Sequence, residues 1–159
     1  MRHFTLAALL ALVSSAAPVS SYAQHVPNLS GTWVLQVDKS DFGMLPAPVS
    51  RTDVVDHQEP KLTIKRTVVT EGGEAVGNFT FVVDGKPYKN SMGPSELTSS
   101  LNWDGAVLVV TSQTTTPQGE ATLVDRYSLS ADGKTLTQDR SIAVQGQNLT
   151  QKLVLAKQP

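Results

Sequence analysis

Ser112, Asp125 and Arg140 are the residues whose types and spacing could do chemistry in this chain. When the surrounding hairpin turns set the strand register, Ser112 falls opposite Asp125 and Asp125 opposite Arg140, a polar row across three neighbouring strands on the inward side. An unpaired charge there would be costly to bury. The row therefore reads either as a satisfied internal ion pair or as the anchor of an anionic or hydroxylated ligand, whose apolar part leucine and aromatic side chains would hold. By the same logic a tight turn at Glu59-Pro60 sets Asp53 opposite Arg66 and Val55 opposite Ile64. Two inward pairs imply a partly hydrated interior, which suits a binding cavity better than a dry core.

Other chemistry finds little support. His57 stands near Asp56 and Glu59, but all three fall beside a turn and His25 is distant in the chain, so a solvated turn is the expectation and no metal site is assigned. No Ser has a credible His and Asp partner, and Gly72-Gly73 lacks the following helix that a phosphate cradle requires. The Asn-x-Ser/Thr patterns at Asn28, Asn78 and Asn148 would matter only in a glycosylating host. No enzyme activity and no cofactor are expected.

The elements that must position these residues are strands. From Gly31 onward the chain is a string of short Val, Thr, Leu and Phe segments broken by Gly-containing turns, with no stretch of helical period. The turns are Glu71-Gly72-Gly73-Glu74, Asp84-Gly85, Asp104-Gly105, Pro117-Gln118-Gly119, Asp132-Gly133 and Gln145-Gly146-Gln147. Read as two-residue hairpins, they put Leu101 opposite Leu108, Leu108 opposite Leu129, Val110 opposite Tyr127, Leu129 opposite Leu136, Val144 opposite Leu149 and Arg140 opposite Leu153. All agree on one inner face: Leu97, Leu101, Trp103, Leu108, Val110, Leu123, Tyr127, Leu129, Leu136, Ile142, Val144, Leu149, Leu153 and Leu155. A one-residue slip would scatter that set over both faces.

Earlier strands are expected near Gly31 to Val37, Arg51 to His57, Leu62 to Val69, Gly77 to Val83 and Tyr88. Between the first two, Asp38 to Ser50 carries Pro46 and Pro48 with apolar Phe42, Met44 and Leu45. It cannot be a central strand, and reads as a surface connection tucked against the core or as a lid over an open barrel end. Nine or ten antiparallel strands without a covering helix must bury their apolar face against themselves, and closure removes exposed edges. The expected fold is all-β, an antiparallel up-and-down meander closing into a small barrel, with a two-sheet sandwich as the alternative.

Asn28-Leu29-Ser30-Gly31-Thr32-Trp33 resembles the Gly-x-Trp motif that opens the first strand of lipocalins and the wider calycin group, and the chain as a whole resembles secreted bacterial lipocalin-like proteins. The resemblance implies that Trp33 closes one end of the barrel and that a late Arg packs across it, for which Arg140 is the candidate. Lipocalins place a helix before the last strand; here Gln145 to Gln147 lead straight into Asn148 to Ala156, a tail more similar to fatty-acid-binding proteins. The Arg-x-Tyr pair of those proteins is not matched, because Arg126 and Tyr127 are adjacent and point to opposite faces. Avidins share Gly-x-Trp, but only Trp33 and Trp103 are present and biotin binding is not expected.

Composition bounds the rest. Arg2, the apolar stretch Leu6 to Val13 and the small residues up to Ser21-Tyr22-Ala23 read as a signal peptide over 1–23, leaving 24–159 as one barrel domain that is secreted or periplasmic. The apolar run is far shorter than the roughly 20 residues that span a bilayer. With no cysteine, packing rather than disulfides holds the fold. Taking Arg2 from the 13 Lys and Arg leaves 12 against 14 Asp and Glu, without runs of like charge, which argues against nucleic acid. Aromatic content of 6% argues against an outer-membrane barrel with aromatic girdles. The expected function is binding of a small apolar or amphipathic ligand inside the barrel by Trp103, Leu108, Ser112, Asp125, Tyr127, Arg140 and Leu153. The alternative is a packed barrel that binds another envelope protein through its outer surface.

Overall fold

Each run of alternating side chains between Gly31 and Lys157 forms a strand, and each strand pairs with its neighbour in sequence. A computed structural model describes residues 26–159; the signal-peptide segment expected at 1–23 lies outside the described residues. The strands are β1 (Gly31–Leu35), β2 (Ser50–Gln58), β3 (Lys61–Thr70), β4 (Gly73–Val82), β5 (Tyr88–Met92), β6 (Ser95–Asp104), β7 (Val107–Thr116), β8 (Gly119–Leu129), β9 (Thr135–Val144) and β10 (Gln147–Lys157). A single 3₁₀ turn, Val37–Lys39, follows β1. All pairings are antiparallel, and β1 closes on β10 with Trp33 opposite Lys157 and Leu35 opposite Leu155. The sheet is therefore a closed barrel rather than a sandwich. Its thinnest seam is β4 against β5, where only Gly77–Met92 and Asn78–Ser91 are in register.

The inner face follows from alternation. Leu101, Leu108, Val110, Tyr127, Leu136, Leu153 and Leu155 are buried, as are Trp33, Leu62, Phe79 and Phe81 from the earlier strands. Two of the expected registers hold: Leu129 opposite Leu136 with Asp125 opposite Arg140, and Asp53 opposite Arg66 with Val55 opposite Ile64.

Three hairpins differ from expectation by two residues. The first loop is Gly105-Ala106, so Leu101 faces Val110 and Trp103 faces Leu108. The second is Pro117-Gln118, so Leu108 faces Tyr127 and Val110 faces Asp125. The third is Gln145-Gly146, so Val144 faces Gln147, Arg140 faces Gln151 and Leu153 faces Gln138. Turn geometry accounts for the shifts. Gln145 (φ 49°) and Gly146 (φ 76°) both take the positive φ that a tight two-residue turn needs at its centre, while Pro117, with φ already locked, suits a turn's first central position. A shift of two preserves the face, so the apolar set stays inside while its cross-strand partners change.

Trp33 is fully buried at one end, its Nε1–H donating to Leu29 O at 2.9 Å. The cation across its ring is Lys157, with Nζ 5.4 Å from the ring centre, and not Arg140, which is engaged elsewhere in the barrel. Gly31 makes room for that lysine. A Cβ there would stand 2.6 Å from Lys157 Cε, and its φ of 137° is one that side-chain-bearing residues rarely adopt. The same end is densely packed: Leu29, Asp53, Val55, Leu62, Ile64, Leu108, Tyr127 and Leu136 leave a void of only 10 Å³.

Candidate functional site

Above this packed end the barrel interior turns polar. Arg51 and Asp53 sit two apart on β2 and so share the inward face, as do Asp125 and Tyr127 on β8 and Gln138 and Arg140 on β9. Arg66 enters from β3 opposite Asp53. Asp53 accepts from both arginines in fork-like pairs: Arg51 Nε and Nη2 at 3.0 and 2.6 Å, Arg66 Nε and Nη2 at 2.9 and 2.8 Å. Arg51 Nη1 donates across the barrel to Gln138 Oε1 at 2.7 Å, and Gln138 Nε2 donates to Asp125 Oδ1 at 2.8 Å. Asp125 then accepts from Arg140 Nε and Nη2 at 2.6 and 3.0 Å. Arg66 Nη2 also donates to Tyr127 Oη at 3.2 Å, and its guanidinium lies 5.4 Å from the Phe79 ring centre.

The result is one continuous chain of charge-assisted hydrogen bonds, Arg66–Asp53–Arg51–Gln138–Asp125–Arg140. Burial pushes the Asp53 carboxyl up, but the charges and hydrogen bonds of Arg66 and Arg51 outweigh it and hold the group well below the usual carboxylate range. At Asp125 burial is likewise outweighed, by Arg140 and then by the Gln138 hydrogen bond. Both folded-state values lie below those of the unfolded chain, so their stabilisation is present above about pH 4 and is lost as pH falls from there towards the folded values. The urea midpoint is accordingly expected to hold level between about pH 5 and 8 and to drop below about pH 4. A midpoint unchanged at about pH 2.5 would contradict the carboxylates' paired state.

On its far side the charged chain floors a cavity of 310 Å³. Leu35, Val68, Phe79, Met92, Leu97, Leu123 and Leu153 form apolar walls, and Arg51, Arg66, Asp125 and Arg140 present polar atoms to it. Phe42, Pro46 and Pro48 of the segment between β1 and β2 complete the mouth. That segment is tied to β10 by reciprocal backbone bonds between Asp41 and Lys152, both 2.8 Å, and by Val154 N–H donating to Ser40 Oγ at 3.0 Å. Asp41 thus continues the wall beyond β1, and the residues after it line the cavity.

The structure brings Asp125, Arg140 and Leu153 together at this cavity. Tyr127 is below the charged chain, and Leu108 lies in the packed end. Ser112 does not face Asp125; the two-residue register shift sets it opposite Leu123, and its hydroxyl shares a 2.8 Å hydrogen bond with buried Ser99. Trp103 is half-buried beside the β2–β3 turn, where Nε1–H donates to Glu59 Oε1 at 2.9 Å. His57 at that turn is buried, not solvated: its Nδ1 accepts from Leu29 N–H at 3.2 Å and Nε2 meets Glu59 Oε1 at 2.8 Å. It latches the N-terminal residues over the closed end. Arg51 and Gln138 went unread in the sequence. Each lies two residues from a recognised charge on its own strand, so the same alternation points it inward.

The closed meander is shared with solved structures of low sequence identity. A secretary abundant heat soluble (SAHS) protein from Ramazzottius varieornatus is 12% identical over 81% of this chain and 94% of its own, with a TM-score of 0.57. Zebrafish ileal bile acid-binding protein, solved with cholic acid, is 11% identical over 82% of this chain and 98% of its own, with a TM-score of 0.59. The fold is a lipocalin-like barrel. No protein-family model matches the chain, and no curated protein matches its sequence. The likeness to the two barrels is one of backbone, and this lipocalin-like barrel carries its charged floor on its own residues.

Proposed function

We propose that this lipocalin-like barrel binds a small amphipathic molecule in the 310 Å³ cavity, with apolar walls holding its body and the arginine-bearing floor orienting its polar end. One observation carries the reading. The interior is not filled by its own side chains, and the space left lies on one side of the charged chain, between it and the mouth, whereas the opposite side is packed to a 10 Å³ residue. A barrel serving only as an outer-surface docking module would have no reason to keep such a space. A barrel of the same fold was solved with cholic acid, which supports an interior of this kind taking an amphipathic guest. Export is part of the proposal and rests on the basic, apolar and small-residue pattern of residues 1–23.

Native mass spectrometry of the mature protein purified from its own source tests this directly. The expected spectrum shows a protein peak heavier than the bare chain, which yields a small molecule on collisional activation. Repeated spectra at bare mass, with no molecule extracted into organic solvent, would count decisively against an internal ligand.

A further inference from the structure

The floor of the cavity holds three arginines, Arg51, Arg66 and Arg140, against two aspartates, Asp53 and Asp125, and thus carries one positive charge that no side chain of the described residues in the cluster balances. The imbalance is greater at the cavity surface, where all three arginines but only Asp125 are exposed to the space. Two donors are also unused: Arg66 bonds through Nε and Nη2 and Arg140 through Nε and Nη2, leaving Nη1 of each without a partner in the protein. These atoms are not sealed in. Among the described residues the one fully buried side-chain polar atom lacking a partner is Asn90 Nδ2. The two guanidiniums are near enough for the charge of Arg66 to act on Arg140. A net charge buried in low dielectric is costly unless something of opposite sign joins it.

We infer that the cavity is specific for amphiphiles with a singly charged anionic head, a carboxylate that accepts from the free Nη1 groups of Arg66 and Arg140 and neutralises the floor. This rests on the ligand-binding reading above and names its ligand class. One negative charge balances the cluster; a second would reverse the imbalance.

Arg66 is the residue through which the inference can be tested cleanly. Removing Arg140 would leave Asp125 with only Gln138, whereas Arg66→Met leaves Asp53 paired with Arg51 and removes one positive charge. Calorimetric titration of the delipidated protein with decanoate, decanol and decyl phosphate provides the measurement, at a pH where decanoate is ionised and the phosphate is a dianion. Decanoate is expected to bind at least about tenfold more tightly than decanol, the margin of charge-assisted hydrogen bonds over neutral ones, and more tightly than decyl phosphate. In Arg66→Met the preference for decanoate over decanol falls several-fold; an unchanged preference in this variant would overturn the assignment of the head group to Arg66. Decanol binding as tightly as decanoate, or decyl phosphate binding more tightly than either, would overturn the head-group assignment and leave a neutral-ligand cavity standing. Absence of binding by all three would overturn the cavity reading itself.

Discussion

Asp53→Asn is expected to destabilise the barrel by about 3–5 kcal/mol, the cost of removing one partner from a buried charge network. Asp53 is 2% exposed and accepts four hydrogen bonds from the guanidiniums of Arg51 and Arg66, both of them buried as well. Asparagine keeps one oxygen and no charge. Arg51 and Arg66 would then face each other with no anion between them, and Gln138 alone cannot hold Arg51. Against a total stability of roughly 5–15 kcal/mol for a domain of this kind, the loss takes a large share. Urea titration followed by tryptophan fluorescence reads it as a lower midpoint. Adding Arg66→Met to the variant should recover part of the loss, because it removes one of the stranded cations. A change below about 1 kcal/mol would mean that water entering from the cavity already solvates the guanidiniums, so that the aspartate contributes little.

Trp33→Ala is expected to cost a similar amount, about 3–5 kcal/mol, by a different route. The indole is wholly buried in the same apolar core as Leu29, Leu62, Leu136 and Leu155. Taking it away opens a cavity that closed barrel strands cannot collapse to fill, removes the Nε1–H bond that holds Leu29, and strips the Lys157 ammonium of the ring beneath it. A melting temperature lowered by ten degrees or more is the expected readout, at about 2–8 °C per kcal/mol for domains of this size range. Trp33→Phe should recover much of the loss. The two variants separate the two halves of the molecule: ligand retention per folded molecule should survive Trp33→Ala, because the cavity lies beyond the charged chain, and should change in Asp53→Asn, which alters the charge of the floor.

Alternation was legible from residue types alone, and with it the inward side on which Asp53, Arg66, Asp125 and Arg140 fall. Asp53 and Arg66 could be paired from the short turn at Glu59-Pro60, and Asp125 and Arg140 from the connection containing Asp132-Gly133, because each pair lies near its own hairpin. Ser112 was misplaced for a reason equally local. A two-residue change in where the Pro117-Gln118 turn falls leaves the face intact but moves every partner along the strand, and nothing in the apolar pattern distinguishes the two registers.

The primary structure by itself determined an antiparallel meander with charged residues on its inner face, since period-two patterning and turn residues act over a few neighbouring positions; that the meander closes into a barrel rather than a sandwich is set by the pairing of β1 with β10. Only the tertiary structure decided that these charges form one chain floored against a cavity. Arg51 and Gln138 stand 87 residues apart on strands that are not neighbours in the barrel, and they meet because closure brings β2 and β9 across the same interior. The same holds for the empty space above them. A cavity is the difference between the volume that a barrel encloses and the volume that its inward side chains fill, and that difference exists only once the ring of strands has closed.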